Sequence, residues 1–303
     1  MADSSLSNGD DVSGWLMYHS VGVYPGQRAA VAEALARFTA DWYAPDDRRW
    51  RIGLAARDAL LSNWATLIGA DPAQVFGAQN VTDVFARFLD GLDVAALAGR
   101  TVLVAADCFP SLHFLLRGVA ARYGFALKTV PVRAGDAYVR DEDFIAAWSP
   151  DVGLALITWV SSLTSKRADL AALTAHARSR DSLVAVDITQ GAGILPFDLG
   201  QTPVDFVCGS TLKWLCGAPG TGLAISRRTG SPPGCSRRCA VGSASPIRST
   251  GTSMPSPMRR TRVASTPARR RCCRSSPRNP VSTGCSHSRP ARCARTISRW
   301  AAS

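Results

Sequence analysis

Short apolar segments alternate with helical patterns between residues 75 and 226, and this alternation constrains the fold more than any other feature of the sequence. Strands that are joined by crossover helices pair in parallel, and the helices then cover both faces of the sheet. We therefore predict an α/β fold with a mostly parallel sheet. Residues 75–78 are a short apolar segment. The expected strands are 101–106, 127–132, 152–160, 182–186, 205–208 and 222–226, and the expected helices are 26–43, 51–69, 81–89, 112–123 and 169–178.

Functional groups in a sheet of this kind gather at the carboxyl ends of the strands. Five polar or aromatic residues stand at or just past such ends, namely Asn80, Phe109, Ser161, Asp187 and Ser210. We expect these residues to surround one site.

Lys213 follows Asp187 by 26 residues, in the segment 209–214 (Gly-Ser-Thr-Leu-Lys-Trp). A lysine in apolar surroundings can form a Schiff base with an aldehyde, and an aspartate that ends an apolar strand can keep a pyridine nitrogen protonated. The pair therefore suggests an enzyme that uses pyridoxal phosphate (PLP). On the residues alone, a solvated lysine and an aspartate that caps the next turn stay open as alternatives.

The other candidate ligands have similar alternatives. Segment 80–82 opens a helix whose free N–H groups could hold a phosphate, or Asn80 could be a simple N-cap. Phe109 could stack on a pyridine ring or belong to the core, and Gln190 could donate to a phenolic oxygen or be structural. The predicted cofactor-binding residues are Asn80, Val81, Thr82, Phe109, Asp187, Gln190, Ser210, Thr211 and Lys213, with Lys213 as the catalytic residue.

The order of these motifs resembles the class V aminotransferase family of fold type I PLP enzymes over residues 15–226, and kynureninase-like members resemble it most. Segment 18–25 resembles the family's N-terminal segment, 107–111 (Asp-Cys-Phe-Pro-Ser) resembles the segment with the stacking phenylalanine, and 208–220 resembles the lysine segment. The resemblance implies a fold type I large domain, PLP as cofactor, an amino acid as substrate and a homodimer with sites at the subunit interface.

Three positions depart from kynureninase. Leu112 stands in place of an aspartate, Leu212 in place of a tyrosine that touches phosphate, and Gln190 in place of a histidine, as in cysteine desulfurases. The resemblance therefore implies cofactor binding, with Lys213 as general base at the substrate α-carbon. It leaves transamination, β-elimination, racemisation and Cβ–Cγ hydrolysis open. A catalytically inactive protein of the PLP fold is the alternative.

Composition changes abruptly near residue 226. Residues 1–226 carry 18 basic and 23 acidic side chains, a net charge of −5, whereas residues 227–303 carry 17 arginines and no lysine or acidic residue. The second part also lacks hydrophobic periodicity, so it is expected to stay disordered. We expect an N-terminal arm and helix (1–45), a PLP-binding large domain (46–226) and an irregular tail (227–303) in place of a C-terminal small domain.

The tail has two competing interpretations. GC-rich codons read out of frame yield Arg, Ala, Pro, Ser, Gly and Cys, so a frameshift accounts for its composition. A functional arginine-rich arm that binds nucleic acid is the competing interpretation. Six of the nine cysteines lie in the tail, but their spacing matches no structural zinc module.

The rest of the chain suggests a cytoplasmic protein. The N-terminus is polar and acidic rather than like a signal peptide, and no apolar run is long enough for a membrane span. Cys108, Cys208 and Cys216 are expected to be free thiols in a reducing compartment.

Overall fold

The computed structural model describes residues 12–226, which belong to one compact unit. The predictions for residues 227–303, including the frameshift and the irregular tail, lie outside the described residues. The domain limits at residues 45 and 226 stay predictions. The helices are α1 (Gln27–Trp42), α2 (Arg48–Leu67), α3 (Val81–Gly91), α4 (Val94–Leu97), α5 (Pro110–Tyr123), α6 (Asp141–Ala147) and α7 (Leu170–Ser179), and a short 3-10 helix spans Pro72–Gln74.

Seven strands form a single sheet with the order β1-β7-β6-β5-β4-β2-β3. The five strands β2 to β6 pair in parallel along this order, whereas β7 runs antiparallel to both of its neighbours, β1 and β6. The mostly parallel sheet is thus as predicted. The strands are β1 (Val75–Ala78), β2 (Thr101–Ala105), β3 (Ala126–Val130), β4 (Val152–Thr158), β5 (Leu183–Asp187), β6 (Phe206–Ser210) and β7 (Gly222–Ser226).

Alternate residues of the central strands contribute to two hydrophobic cores, one on each face of the sheet. In β5, Val184 and Val186 face one core. This core includes Trp64 of α2 and Trp148, which directly follows α6. Ala185 faces the other core, which includes Phe85 of α3 and residues of α5. Both faces are therefore covered, which explains why these strands consist almost entirely of apolar residues.

Local signals fix the ends of the two helices nearest the strand ends. The Asn80 side chain accepts a hydrogen bond from the Asp83 N–H (2.8 Å) and so caps α3. Helix α5 begins with Pro110 and ends at Tyr123, and the next residue, Gly124, has the positive φ of 70° that is common after helices.

Some predicted limits differ from the structure. Strand β4 ends at Thr158 rather than at residue 160, and α6 was not predicted because its seven residues are too few for a clear periodicity. Helix α1 forms as predicted, but none of its residues is buried, and Leu35 is 58% exposed. Within residues 12–226, none of the helices combines the length and the apolar character needed to cross a bilayer.

Candidate cofactor site

A cavity of about 490 Å³ opens where β4, β5 and β6 end and where α3 and α5 begin. The parallel strands bring residues that are distant in sequence to one edge of the sheet. Eight of the nine predicted cofactor-binding residues line this cavity: Asn80, Val81, Thr82, Phe109, Asp187, Gln190, Ser210 and Lys213.

Thr211 is the exception, since it does not line the cavity. Its hydroxyl forms a hydrogen bond with the Thr221 hydroxyl, and its carbonyl accepts from the Gly217 N–H (2.7 Å). Thr211 thus closes the turn that follows β6. A role of its side chain in phosphate binding stays a prediction.

Asp187 is the last residue of β5 and is only 5% exposed. Its Oδ1 accepts hydrogen bonds from the N–H (2.9 Å) and from the hydroxyl of Thr189. Burial raises the pKa of Asp187 above its ordinary value, although the Thr189 hydrogen bonds and the positive charge of Lys213 oppose this shift. The carboxylate is thus held in one orientation, and a cation in the cavity would stabilise its charge.

Lys213 lies on the turn between β6 and β7 and is partly buried. Its Nζ lies over the Phe109 ring, 5.1 Å from the ring centre. Burial lowers the pKa of Lys213, and the negative charge of Asp187 opposes the shift. The amine is therefore deprotonated more readily than an ordinary lysine, as a nucleophile requires.

Lys213 is one of only three lysines in the sequence, and the other two have partners elsewhere. Lys166 forms an ion pair with Asp141, and Lys128 donates to the Ala147 carbonyl (2.7 Å). An aldehyde that enters the cavity would therefore meet one lysine amine, that of Lys213.

The N-terminus of α3 forms the other end of the cavity. The first hydrogen bond within this helix runs from the Val84 N–H to the Asn80 carbonyl, so the N–H groups of Val81 and Thr82 precede it. A Cβ on Gly222 would lie 2.3 Å from the carbonyl carbon of Asn80, so β7 can approach this turn only because it begins with glycine. Free N–H groups and the helix dipole make this end suitable for an anion such as phosphate.

Gln190 lines the cavity but already uses both ends of its amide. Its Nε2 donates to the His19 carbonyl (2.9 Å), and its Oε1 accepts from the Trp214 indole (3.1 Å). One N–H of the amide is left for a ligand. Donation to a phenolic oxygen therefore stays a prediction, and a link to the N-terminal segment is an additional observation.

The cavity also contains polar residues that were not predicted. Ser111 shares a hydrogen bond with the Thr82 hydroxyl (2.7 Å), and Thr189 holds Asp187 as described. Ser162 and Thr158 complete this group, whereas Ser161, which was expected at this site, does not line the cavity. Thr158 was not predicted because β4 was expected to end at residue 160, which placed Thr158 inside the strand. Thr158 is in fact the last residue of β4, and a position at a strand end would have identified it as a site residue.

The Thr158 hydroxyl is buried and has no hydrogen-bond partner among the described residues. Buried hydroxyls are nearly always paired, so this one fits a cavity that receives a polar ligand. The lining fits each part of PLP. The N-terminus of α3 suits the phosphate and the Phe109 ring suits the pyridine ring. The Asp187 carboxylate suits the pyridine nitrogen, and the Lys213 amine suits the aldehyde. Within residues 12–226, no group of three His, Cys, Asp or Glu side chains is arranged to hold a metal ion.

The fold and the site define an α/β protein with a cofactor-sized cavity at the strand ends, and sequence comparison gives the family. The family model described as aminotransferase class-V matches residues 52–233, and the chain belongs to this family. A kynureninase from Deinococcus radiodurans is 29% identical over 69% of this chain and 51% of its own length. An isopenicillin N epimerase from Streptomyces clavuligerus is 31% identical over 55% of this chain and 41% of its own length. The chain spans about half the length of the curated relatives that it matches.

Solved structures show the same fold. A cysteine desulfurase, CsdA from Escherichia coli, has a TM-score of 0.58 and 21% identity over 69% of this chain and 53% of its own. A mutant of C-DES with glycine covalently linked to the PLP cofactor has a TM-score of 0.60 and 22% identity over 70% of this chain and 56% of its own. The predicted family and the fold type I large domain are thus confirmed, and the PLP prediction is confirmed at the level of the family.

Proposed function

We propose that this chain binds PLP in the cavity at the strand ends and acts on an amino acid, with Lys213 as the residue that holds the aldehyde. One observation carries the proposal: Lys213, Phe109 and Asp187 line a single cavity, with the lysine Nζ 5.1 Å from the Phe109 ring. The membership of the family supports it.

The described residues divide into two binding ends. At the phosphate end, the N–H groups of Val81 and Thr82, the capped turn at Asn80 and the Ser210 hydroxyl would hold the anion. At the ring, Phe109 offers a stacking face. Asp187, kept in position by Thr189, would pair with the pyridine nitrogen.

Bound PLP supplies an electron sink for the bond that breaks at the substrate α-carbon. Lys213 would supply the base, because its lowered pKa leaves the Nζ free of a proton more often than an ordinary lysine. Buried Asp187 would keep the pyridine nitrogen charged, since an ionised carboxylate in low dielectric favours a neighbouring cation.

We propose an amino acid as the substrate and a reaction of the kynureninase-like or class V aminotransferase type. Among the described residues of the cavity lining, Lys213 is the one cation. A hydrolase or transferase activity is tested by product analysis with kynurenine and with a panel of amino acids.

The assembly and the compartment are part of the same proposal. A homodimer follows from the resemblance, and light scattering of the purified chain tests it. The described cysteines Cys108, Cys208 and Cys216 are free thiols, which supports a reducing compartment such as the cytoplasm.

Chemical trapping tests the cofactor site directly. The full chain is incubated with PLP, reduced with borohydride and digested, and mass spectrometry then finds which of the three lysines carries the pyridoxyl group. We expect the label on Lys213, its loss in Lys213→Ala and its retention in the control Lys128→Ala. Label at Lys128 or Lys166 alone would reject the assignment. A folded chain without any label would favour the inactive PLP-fold alternative.

A further inference from the structure

The N-terminal segment packs on the turn that carries Lys213. We call residues 18–27 the strap and residues 211–217 the lysine turn. Gly22 of the strap is buried, and a Cβ on it would lie 1.8 Å from the carbonyl oxygen of Lys213. No side chain fits in so small a gap, so the contact depends on the glycine.

Two hydrogen bonds attach the strap on either side of the lysine. The Gly22 N–H donates to the Leu212 carbonyl (3.0 Å), and the Gln27 Nε2 donates to the Cys216 carbonyl (2.8 Å). The lysine turn itself is closed by the Cys216 N–H, which donates to the Lys213 carbonyl (2.9 Å). The strap thus restrains the backbone that carries the Lys213 side chain.

A third connection runs through side chains. Gln190 donates to the His19 carbonyl of the strap (2.9 Å) and accepts from the Trp214 indole of the lysine turn (3.1 Å). The Tyr18 ring stacks on Trp214 with 5.7 Å between ring centres and 10° between planes. This connection therefore joins the strap to the lysine turn through a residue that lines the cofactor cavity.

We propose that the strap positions Lys213 for the cofactor and that Gln190 is the positioning residue that couples the strap to the lysine turn. This inference rests on the proposed function for its purpose, but the coupling can be measured without PLP. The lysine turn is held by hydrogen bonds on both sides of Lys213 and by the stacking of Trp214 on Tyr18, so it samples fewer conformations. Lys213 therefore loses less conformational entropy when it attaches to an aldehyde.

Hydrogen–deuterium exchange of the full chain without PLP tests the coupling. The variants are Gly22→Ala, which forces the strap away from Lys213, and Gln190→Met, which removes both amide hydrogen bonds. The control is Gly118→Ala, on an exposed position of α5 where a Cβ meets nothing within 4 Å. We expect the strap and the lysine turn to exchange faster together in both variants, by about tenfold for the loss of about one hydrogen bond's free energy. Faster exchange of the strap alone would overturn the proposal.

Titration of the same proteins with PLP supplies the second measurement. We expect the dissociation constant to rise by about tenfold in Gly22→Ala, because Gly22 does not line the cavity, and to stay unchanged in the control. The yield of the Lys213 label at saturating PLP should recover in Gly22→Ala, because positioning changes affinity and not the identity of the amine. Unchanged affinity in Gly22→Ala would overturn the positioning role. If the unmodified chain binds no PLP but shows coupled exchange, the proposed function fails while the coupling stands.

Discussion

Lys213 and Phe109 face each other in the cofactor cavity, with the lysine Nζ 5.1 Å from the centre of the phenyl ring. A phenyl face attracts both a cation and a planar ring. A pyridine ring that stacks on Phe109 would therefore displace the ammonium group from this contact. When the pyridine ring is bound, this competition favours the uncharged form of the amine. Burial favours the same form, because it lowers the pKa of Lys213.

Because burial lowers the pKa of Lys213, its amine should react with trace acetic anhydride at a pH where an ordinary lysine, with a pKa of about 10.4, is still protonated. Competitive labelling across pH, read by mass spectrometry against a lysine peptide in the same tube, measures the midpoint. A midpoint equal to that of the peptide would contradict the prediction.

Asp187→Asn should have opposite effects on cofactor binding and on the stability of the cofactor-free protein. PLP affinity should fall by about 10- to 100-fold with the loss of a charge-assisted hydrogen bond. The pKa of Asp187 is raised in the folded state, so the wild type should lose stability as pH rises from the unfolded value of about 3.9 through the folded pKa. The asparagine variant should lack this loss. Urea unfolding at several pH values, without PLP, measures it, and equal pH slopes for both proteins would refute it.

Thr158→Val should stabilise the cofactor-free protein. The buried hydroxyl has no partner among the described residues, and its removal should raise the free energy of unfolding by about 1 kcal/mol. The matched control is Thr174→Val, since the Thr174 hydroxyl donates to the Leu170 carbonyl (2.6 Å) and its removal should lower stability by about 1 kcal/mol. Chemical denaturation decides between them. A loss of stability in Thr158→Val as large as in the control would show that its hydroxyl is paired.

Gly222→Ala should disturb the phosphate end of the cavity. Its Cβ would lie 2.3 Å from the Asn80 carbonyl group, so the turn before α3 must move, and we expect a loss of about 2 kcal/mol or more. Gly118→Ala should instead add about 0.5–1 kcal/mol, because alanine is the better helix residue. Thermal unfolding of both variants measures the contrast. Wild-type stability in Gly222→Ala would show that β7 and Asn80 are not in close contact.

Much of the fold and of the site could be predicted because the relevant signals are local. The apolar runs of β2, β4 and β5 mark central strands, and the capping residue Asn80 marks the start of α3. The pairing of β7 with β1 could not be predicted, since it joins distant parts of the chain and leaves no pattern within either strand. Thr158 was not predicted for a related reason. The apolar residues of β4 do not show where its hydrogen bonds to the neighbouring strands end.

The contacts of Gln190 illustrate the same limit within the site. Its distance of three residues from Asp187 indicated a cofactor ligand, but its partners His19 and Trp214 are brought to it by tertiary packing. Nothing in the sequence near Gln190 specifies either contact. The family comparison could not supply them either, because it identifies the class of site and not the bonds of each side chain.

The position of β7 between β1 and β6 determines the order in which the sheet can fold during synthesis. Val75 in β1 pairs with Ile225, and in the described sheet β1 has no other neighbour. During synthesis, β1 therefore leaves the ribosome long before its partner exists, and its edge must stay soluble until residues 222–226 arrive. Closing so long a loop costs entropy before any contact is gained. Maturation of the sheet should thus end with β7, and translation that pauses before residue 222 should leave a protease-sensitive intermediate.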